Sequence, residues 1–130
     1  MRLKGAYISL ALISALACGG GGDDDPTGPA VGNSNTRPPA GGIAVTNNAF
    51  SPSEKTVTVG TTVTWAWSTC SGGGGYDTET CVAHSVNFDD GTNSPTQEKG
   101  NYTRTFTAAG SYRYQCAVHG AAMSGTITVQ

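Results

Sequence analysis

The strongest constraint on the fold is a period-two alternation of apolar and polar residues that recurs through the C-terminal two-thirds of the chain. In Thr62-Val63-Thr64-Trp65-Ala66-Trp67, the residues Val63, Trp65 and Trp67 share one face, because successive side chains of a strand point to opposite sides. Ile43-Ala44-Val45, Thr56 to Val59 and Tyr102 to Thr107 read the same way. So does Ser111 to Cys116, which places Tyr112, Tyr114 and Cys116 together, and Ser124 to Val129, with Ile127 and Val129 inward. Val82 to Phe88 is a further candidate strand. Gly60, Ala108-Ala109-Gly110 and Asp89-Asp90-Gly91-Thr92-Asn93 punctuate these runs as turns. Short, Thr/Val/Tyr-rich strands at this spacing predict an all-β sandwich or barrel. Beyond the first residues, no stretch sustains a 3.6-residue period.

The N-terminal third has another character. Arg2 and Lys4 precede an apolar run from Ala6 to Ala17 that ends at Cys18. A basic start, a short apolar core and small residues at the cleavage point are the marks of an export signal, and the run is too short for a permanent membrane span. Ala15-Leu16-Ala17-Cys18 resembles a bacterial lipoprotein signal. Residues 1–17 are therefore expected to be removed and Cys18 to carry the lipid, at the periplasmic face of a membrane or at the cell surface. Residues 18–41 hold a glycine run, Asp23-Asp24-Asp25 and many Pro, Gly, Asn and Thr. They cannot bury enough apolar surface to offset the entropy of ordering, so they read as a disordered spacer.

Residues 42–130 are left to form one small domain. It carries six acidic against four basic side chains, which gives no basic footprint for nucleic acid. Cys70 and Cys81 bracket a loop containing four successive glycines. In an exported protein such a pair is expected to form a disulfide; closing a loop of that size removes about 3 kcal/mol of unfolded-chain entropy. The glycines lack a following Gly-Lys-Ser/Thr, so they are no phosphate loop.

The chemistry concentrates in Tyr114-Gln115-Cys116-Ala117-Val118-His119-Gly120-Ala121-Ala122-Met123 and in His84. The chain has only two histidines and two methionines, so a Cys, a His and a Met within eight residues is a notable cluster. Imidazole, thiolate and a weak axial thioether form the ligand set of electron-transferring copper. Gly120 and Gly125 are expected to permit a tight backbone path through the loop. Zinc is a rival, because Cys81 to His84 and Cys116 to His119 are both Cys-x₂-His. On an extended strand, however, residues three apart face opposite ways, and using Cys81 would leave Cys70 alone. Haem attachment is excluded, since no Cys-x₂-Cys-His occurs. Taken singly, Cys116 would more often be a small buried hydrophobe, Met123 core filling and His84 a satisfied structural histidine; it is their combination and order that point to a metal.

Phe50, the Thr-Val-Thr-Trp strand, Ala83-His84-Ser85-Val86, the approach Gly110-Ser111-Tyr112-Arg113-Tyr114-Gln115-Cys116 and the ligand loop together resemble the cupredoxins, the plastocyanin/azurin group of small blue copper proteins. The resemblance covers nearly all of residues 42–130. It implies a Greek-key β-sandwich of seven to eight strands. It also implies one type 1 copper ion held by His84, Cys116, His119 and Met123, with His119 as the electron port. The chain would then be an electron carrier, not an enzyme: a monomer exchanging single electrons with a donor and an acceptor redox protein, and meeting the membrane only through its lipid. The alternatives are a copper-delivery lipoprotein and a metal-free interaction module. The sequence departs from the family at Ser85, where an Asn that holds the ligand loop is common and where Ser reaches less far.

Overall fold

The alternation in the sequence becomes two four-stranded sheets whose facing sides carry the apolar residues. The computed structural model describes residues 35–74 and 77–130; the expected export signal, Cys18 and most of the spacer lie outside the described residues. The strands are β1 (Ile43–Thr46), β2 (Ala49–Ser51), β3 (Glu54–Val57), β4 (Thr62–Trp67), β5 (Cys70–Ser71), β6 (Thr80–Cys81), β7 (Asn87–Phe88), β8 (Asn101–Thr105), β9 (Gly110–Cys116) and β10 (Gly120–Val129). One sheet has the order β2-β1-β4-β8 and the other β3-β10-β9-β7, while β5 and β6 form a separate hairpin. Among the described residues no helix forms. The eight sheet strands and the sandwich match the expected fold.

β1 runs parallel to β4, and β3 parallel to β10; the other neighbours are antiparallel. The chain crosses from the first sheet to the second at Ser51–Pro52, whose peptide bond is cis. Ile43, Val45, Val63, Trp65 and Trp67 from one sheet meet Phe88, Tyr114, Cys116, Ile127 and Val129 from the other in a single buried cluster. Aromatic rings fill its centre: Tyr114 packs against Phe50, Trp65 and Phe88 with centroids 4.8, 5.5 and 5.2 Å apart. Arg104 lies over the Phe88 ring at 4.1 Å while its guanidinium pairs with Asp90, a cation–π contact on the rim of the core.

Three elements differ from the sequence expectation. The strand expected over Thr56 to Val59 lies at Glu54–Val57, because its partner β10 ends at Val129, opposite Val57. Thr58 instead opens a turn, accepting from Thr61 N–H at 3.1 Å, and Val59 is left exposed. Of the expected strand from Val82 to Phe88 only Asn87–Phe88, β7, forms, and His84 makes an isolated bridge. His84, Ser85 and Val86 are consecutively buried, and the main chain of this segment bonds to Gln97 and Ser94 rather than to a strand of either sheet. Finally, the spacer expected to run to residue 41 is tied down at its end. Asn35 exchanges two hydrogen bonds with the Cys70 backbone, at 2.8 and 3.0 Å, and Thr36 N–H donates to the Trp67 carbonyl at 2.7 Å.

Candidate metal centre

β9 and β10 deliver two of the donors through an unusual turn. Cys116 ends β9 and pairs with Gly120, so Ala117, Val118 and His119 form the connection. Register then jumps, with Ser124 opposite Gln115, leaving Ala121, Ala122 and Met123 as a bulge. A bulge re-aims side chains and twists the strand; here Met123 is buried within the core cluster, while Ala121 and Ala122 remain exposed. Gly120 has φ +56°, the left-handed region that glycine enters without cost. Gly125 does something else. A Cβ there would lie 2.4 Å from Cζ and Oη of Tyr114 and 2.7 Å from the Ser53 carbonyl oxygen, so this glycine makes room for the Tyr114 ring across the sheet.

His84 arrives from the irregular segment between β6 and β7. Its main chain makes a two-bond bridge to Gln97, both at 3.0 Å. The following residues are held in turn: Val86 N–H donates to Ser94 Oγ at 2.8 Å. The Cys70–Cys81 disulfide is formed at the base of the β5–β6 hairpin, three residues before His84. That pairing withdraws Cys81 from any Cys₂His₂ zinc set. Cys116 is the free cysteine among the described residues, and it is buried.

These elements bring the side-chain donors of His84, Cys116 and His119 within 4.8 Å of one another. His84 Nδ1 stands 3.6 Å from Cys116 Sγ, and the two imidazoles lie 4.9 Å apart, centroid to centroid. Donors that share one ion at about 2.0–2.3 Å cannot be much more than about 4.5 Å apart, so this spacing suits a single small metal ion. His119 Nδ1 is buried and has no hydrogen-bond partner among the described residues, as befits a lone pair reserved for a metal. Burial alone would push the Cys116 thiol up. The polar groups around its sulfur outweigh that: the Ser85 amide first, then the His119 ring and the Val118 and His119 amides, hold it below its ordinary value. A thiol biased toward thiolate is the form that binds metal. His84 is held below the usual imidazole value by burial first and by the charge of His119 second, which favours the neutral, metal-binding ring.

Comparison with known proteins agrees with this geometry. The copper-binding protein family of the plastocyanin/azurin type matches residues 41–130. The chain belongs to that family. Solved structures similar to this cupredoxin include an oxidized methionine-to-leucine mutant of amicyanin, 27% identical, with a TM-score of 0.56 over 68% of this chain and 80% of that one. Another is a purple cupredoxin from Nitrosopumilus maritimus, 25% identical, with a TM-score of 0.54 over 68% of this chain and 98% of that one. No curated protein matches the chain. The family, the fold and the soft donor set make it a copper electron-transfer protein whose cofactor is a single type 1 copper ion.

The cupredoxin site also settles how Ser85 acts. The Ser85 hydroxyl accepts from the Ala117 amide at 3.0 Å, so the shorter side chain still ties the His84 segment to the ligand loop. Trp67, Gln97 and Ser94, which brace the His84 segment, were not legible as site residues. They lie far from the motif in sequence, and Trp67 shares the apolar face of β4 with ordinary core residues.

Proposed function

We propose that this cupredoxin carries single electrons between redox proteins of the bacterial cell envelope, anchored by a lipid on Cys18. The observation that carries the reading is the convergence of His84, Cys116 and His119, drawn from separate elements, into one group of donors within 4.8 Å. His84, Cys116 and His119 would hold copper, together with Met123 from the bulge. Copper so bound supplies a one-electron couple. The protein supplies a frame that need not move. The β9–β10 pair carries Cys116 and Met123, backbone bonds fix His84, and Ser85 ties the two ligand segments together. His119 is half-buried, and its neighbours Ala117, Val118, Ala121 and Ala122 are exposed. A small apolar rim of this kind lets a partner approach the His119 edge without a large desolvation cost. Arg2, Lys4, the apolar run and Cys18 support export and lipidation, and the Gly- and Pro-containing spacer would let the domain search for donor and acceptor near its membrane.

The test is copper loading of the purified chain. One copper per chain, an intense blue colour on oxidation, and loss of that colour in Cys116→Ser are expected. Colourless, readily exchanged copper would overturn the electron-carrier reading in favour of delivery, and failure to bind stoichiometric copper would overturn both.

A further inference from the structure

A metal-ligating histidine ordinarily donates its other ring N–H to a carboxylate, a carbonyl or water, and that bond fixes the ring. His84 does not have this support from the protein. Its Nδ1 faces Cys116 Sγ, whereas Nε2 is buried without a hydrogen-bond partner among the described residues. The ring is therefore held through its main chain and its packing.

Three hydrogen bonds converge on that main chain. The His84 amide donates to the Gln97 carbonyl, and the His84 carbonyl accepts from the Gln97 amide, both at 3.0 Å. The same carbonyl accepts a second bond, 3.1 Å long, from the indole N–H of Trp67. Trp67 and His84 are both fully buried, so this side-chain bond lies in the low-dielectric interior, where hydrogen bonds are strong and water does not compete. The donor is itself rigidly mounted. Trp67 is the last residue of β4, its amide donates to the Gly100 carbonyl at 3.0 Å, and its carbonyl accepts from Thr36 at 2.7 Å.

We propose that Trp67 is a positioning residue of the copper site, its indole N–H fixing the His84 backbone in place of the ring-nitrogen bond that His84 lacks. The proposal rests on His84 being a copper ligand. Trp65 provides a built-in contrast: it is two residues away on the same strand and equally buried, yet its indole sits by the Tyr114 phenol and makes no hydrogen bond to the His84 segment. Losing the Trp67 donor still leaves the His84 carbonyl bonded to Gln97, so the carbonyl is not orphaned. What is lost is a restraint on where the ligand sits.

The experiment compares Trp67→Phe with Trp65→Phe in the full chain, with and without copper. Both remove the same indole volume and should lower the melting temperature of the metal-free protein to a similar degree. Trp67→Phe alone is expected to weaken copper affinity roughly 10–100-fold, as loss of outer support to a ligand typically does, and to change the blue absorption band and the copper hyperfine splitting. A Trp67→Phe protein with the affinity and spectra of Trp65→Phe would overturn the proposal. Should Trp67→Phe fail to fold, the benzothiophene analogue of tryptophan can replace Trp67 in a Trp65→Phe chain. It keeps the ring shape and removes only the donor, and the same two outcomes decide. If the unmodified chain is itself not blue with copper, the fault lies with the functional reading and not with Trp67.

Discussion

Gly125→Ala tests the packing that underlies the copper-bearing sheet. Gly125 on β10 lies opposite Tyr114 on β9, and the tyrosine ring covers it. An added Cβ would sit 2.4 Å from two ring atoms and 2.7 Å from the Ser53 carbonyl oxygen. Ordinary contact between carbons is about 3.5–4.0 Å, so something must yield by roughly 1 Å. Neither neighbour can do so freely. Tyr114 is 1% exposed and is wedged among Phe50, Trp65 and Phe88. The Ser53 oxygen is backbone and accepts from Thr126 N–H at 2.8 Å. Overpacking a well-filled core costs about 1–3 kcal/mol, occasionally more, and the rigidity of both neighbours places this case near about 3 kcal/mol. For a domain of this size each kcal/mol shifts the midpoint by about 4–8 °C, so thermal unfolding of the metal-free protein should show a drop of about 12–24 °C. In a Tyr114→Ala background the ring atoms are gone, and the added penalty of Gly125→Ala should fall by at least half. A drop below about 4 °C in the parent chain would refute the clash. An undiminished penalty in the Tyr114→Ala background would refute the assignment to Tyr114.

Other outcomes follow from the same geometry. Ser85→Ala should cost about 1 kcal/mol of stability and weaken copper binding about tenfold or more, because the Ala117 amide loses its acceptor; an unchanged copper titration would remove Ser85 from the outer shell. Met123→Leu conserves volume and should cost less than about 1.5 kcal/mol; it should shift the reduction potential with the blue site intact, and an unchanged potential would remove Met123 from the ligands. Burial pushes the Tyr114 phenol up to about 12, the nearby Trp65 indole offsetting this in part. A pKa raised on folding stabilises the protein below the unfolded value near 10 and loses that stabilisation as pH rises toward 12. Urea unfolding should therefore show a loss of roughly 2–3 kcal/mol across that window, and Tyr114→Phe should lack most of it.

Much of the fold was legible because it depends on local pattern. The alternation in Ser111 to Cys116 survives, and that in Thr62 to Trp67 holds as far as Trp65, beyond which Ala66 is buried along with Trp67, since a strand that packs on one side buries one face whatever its partner. The segment from Val82 to Phe88 reads as a strand yet forms only β7 at its end, for the converse reason. Its path is set by Ser94 and Gln97, beyond the next turn, and by Trp67, 17 residues before His84. In the sequence Gly125 reads as part of the ligand turn because it lies beside it. Its actual neighbour is an aromatic ring that only the β9–β10 register brings there.

By itself the sequence determined the alphabet of the site: one thiolate, two imidazoles and a thioether, ordered so that three fall within eight residues. Donor chemistry is a property of residue type, and spacing within a turn is a property of adjacent residues, so both can be read along the chain. The tertiary structure alone decided how the fourth donor is held. His84 reaches Cys116 across 32 residues, and its orientation depends on hydrogen bonds from Gln97 and Trp67. Those bonds exist only after two sheets have packed, because burial is what brings the indole N–H and the His84 carbonyl together and excludes the water that would otherwise satisfy them.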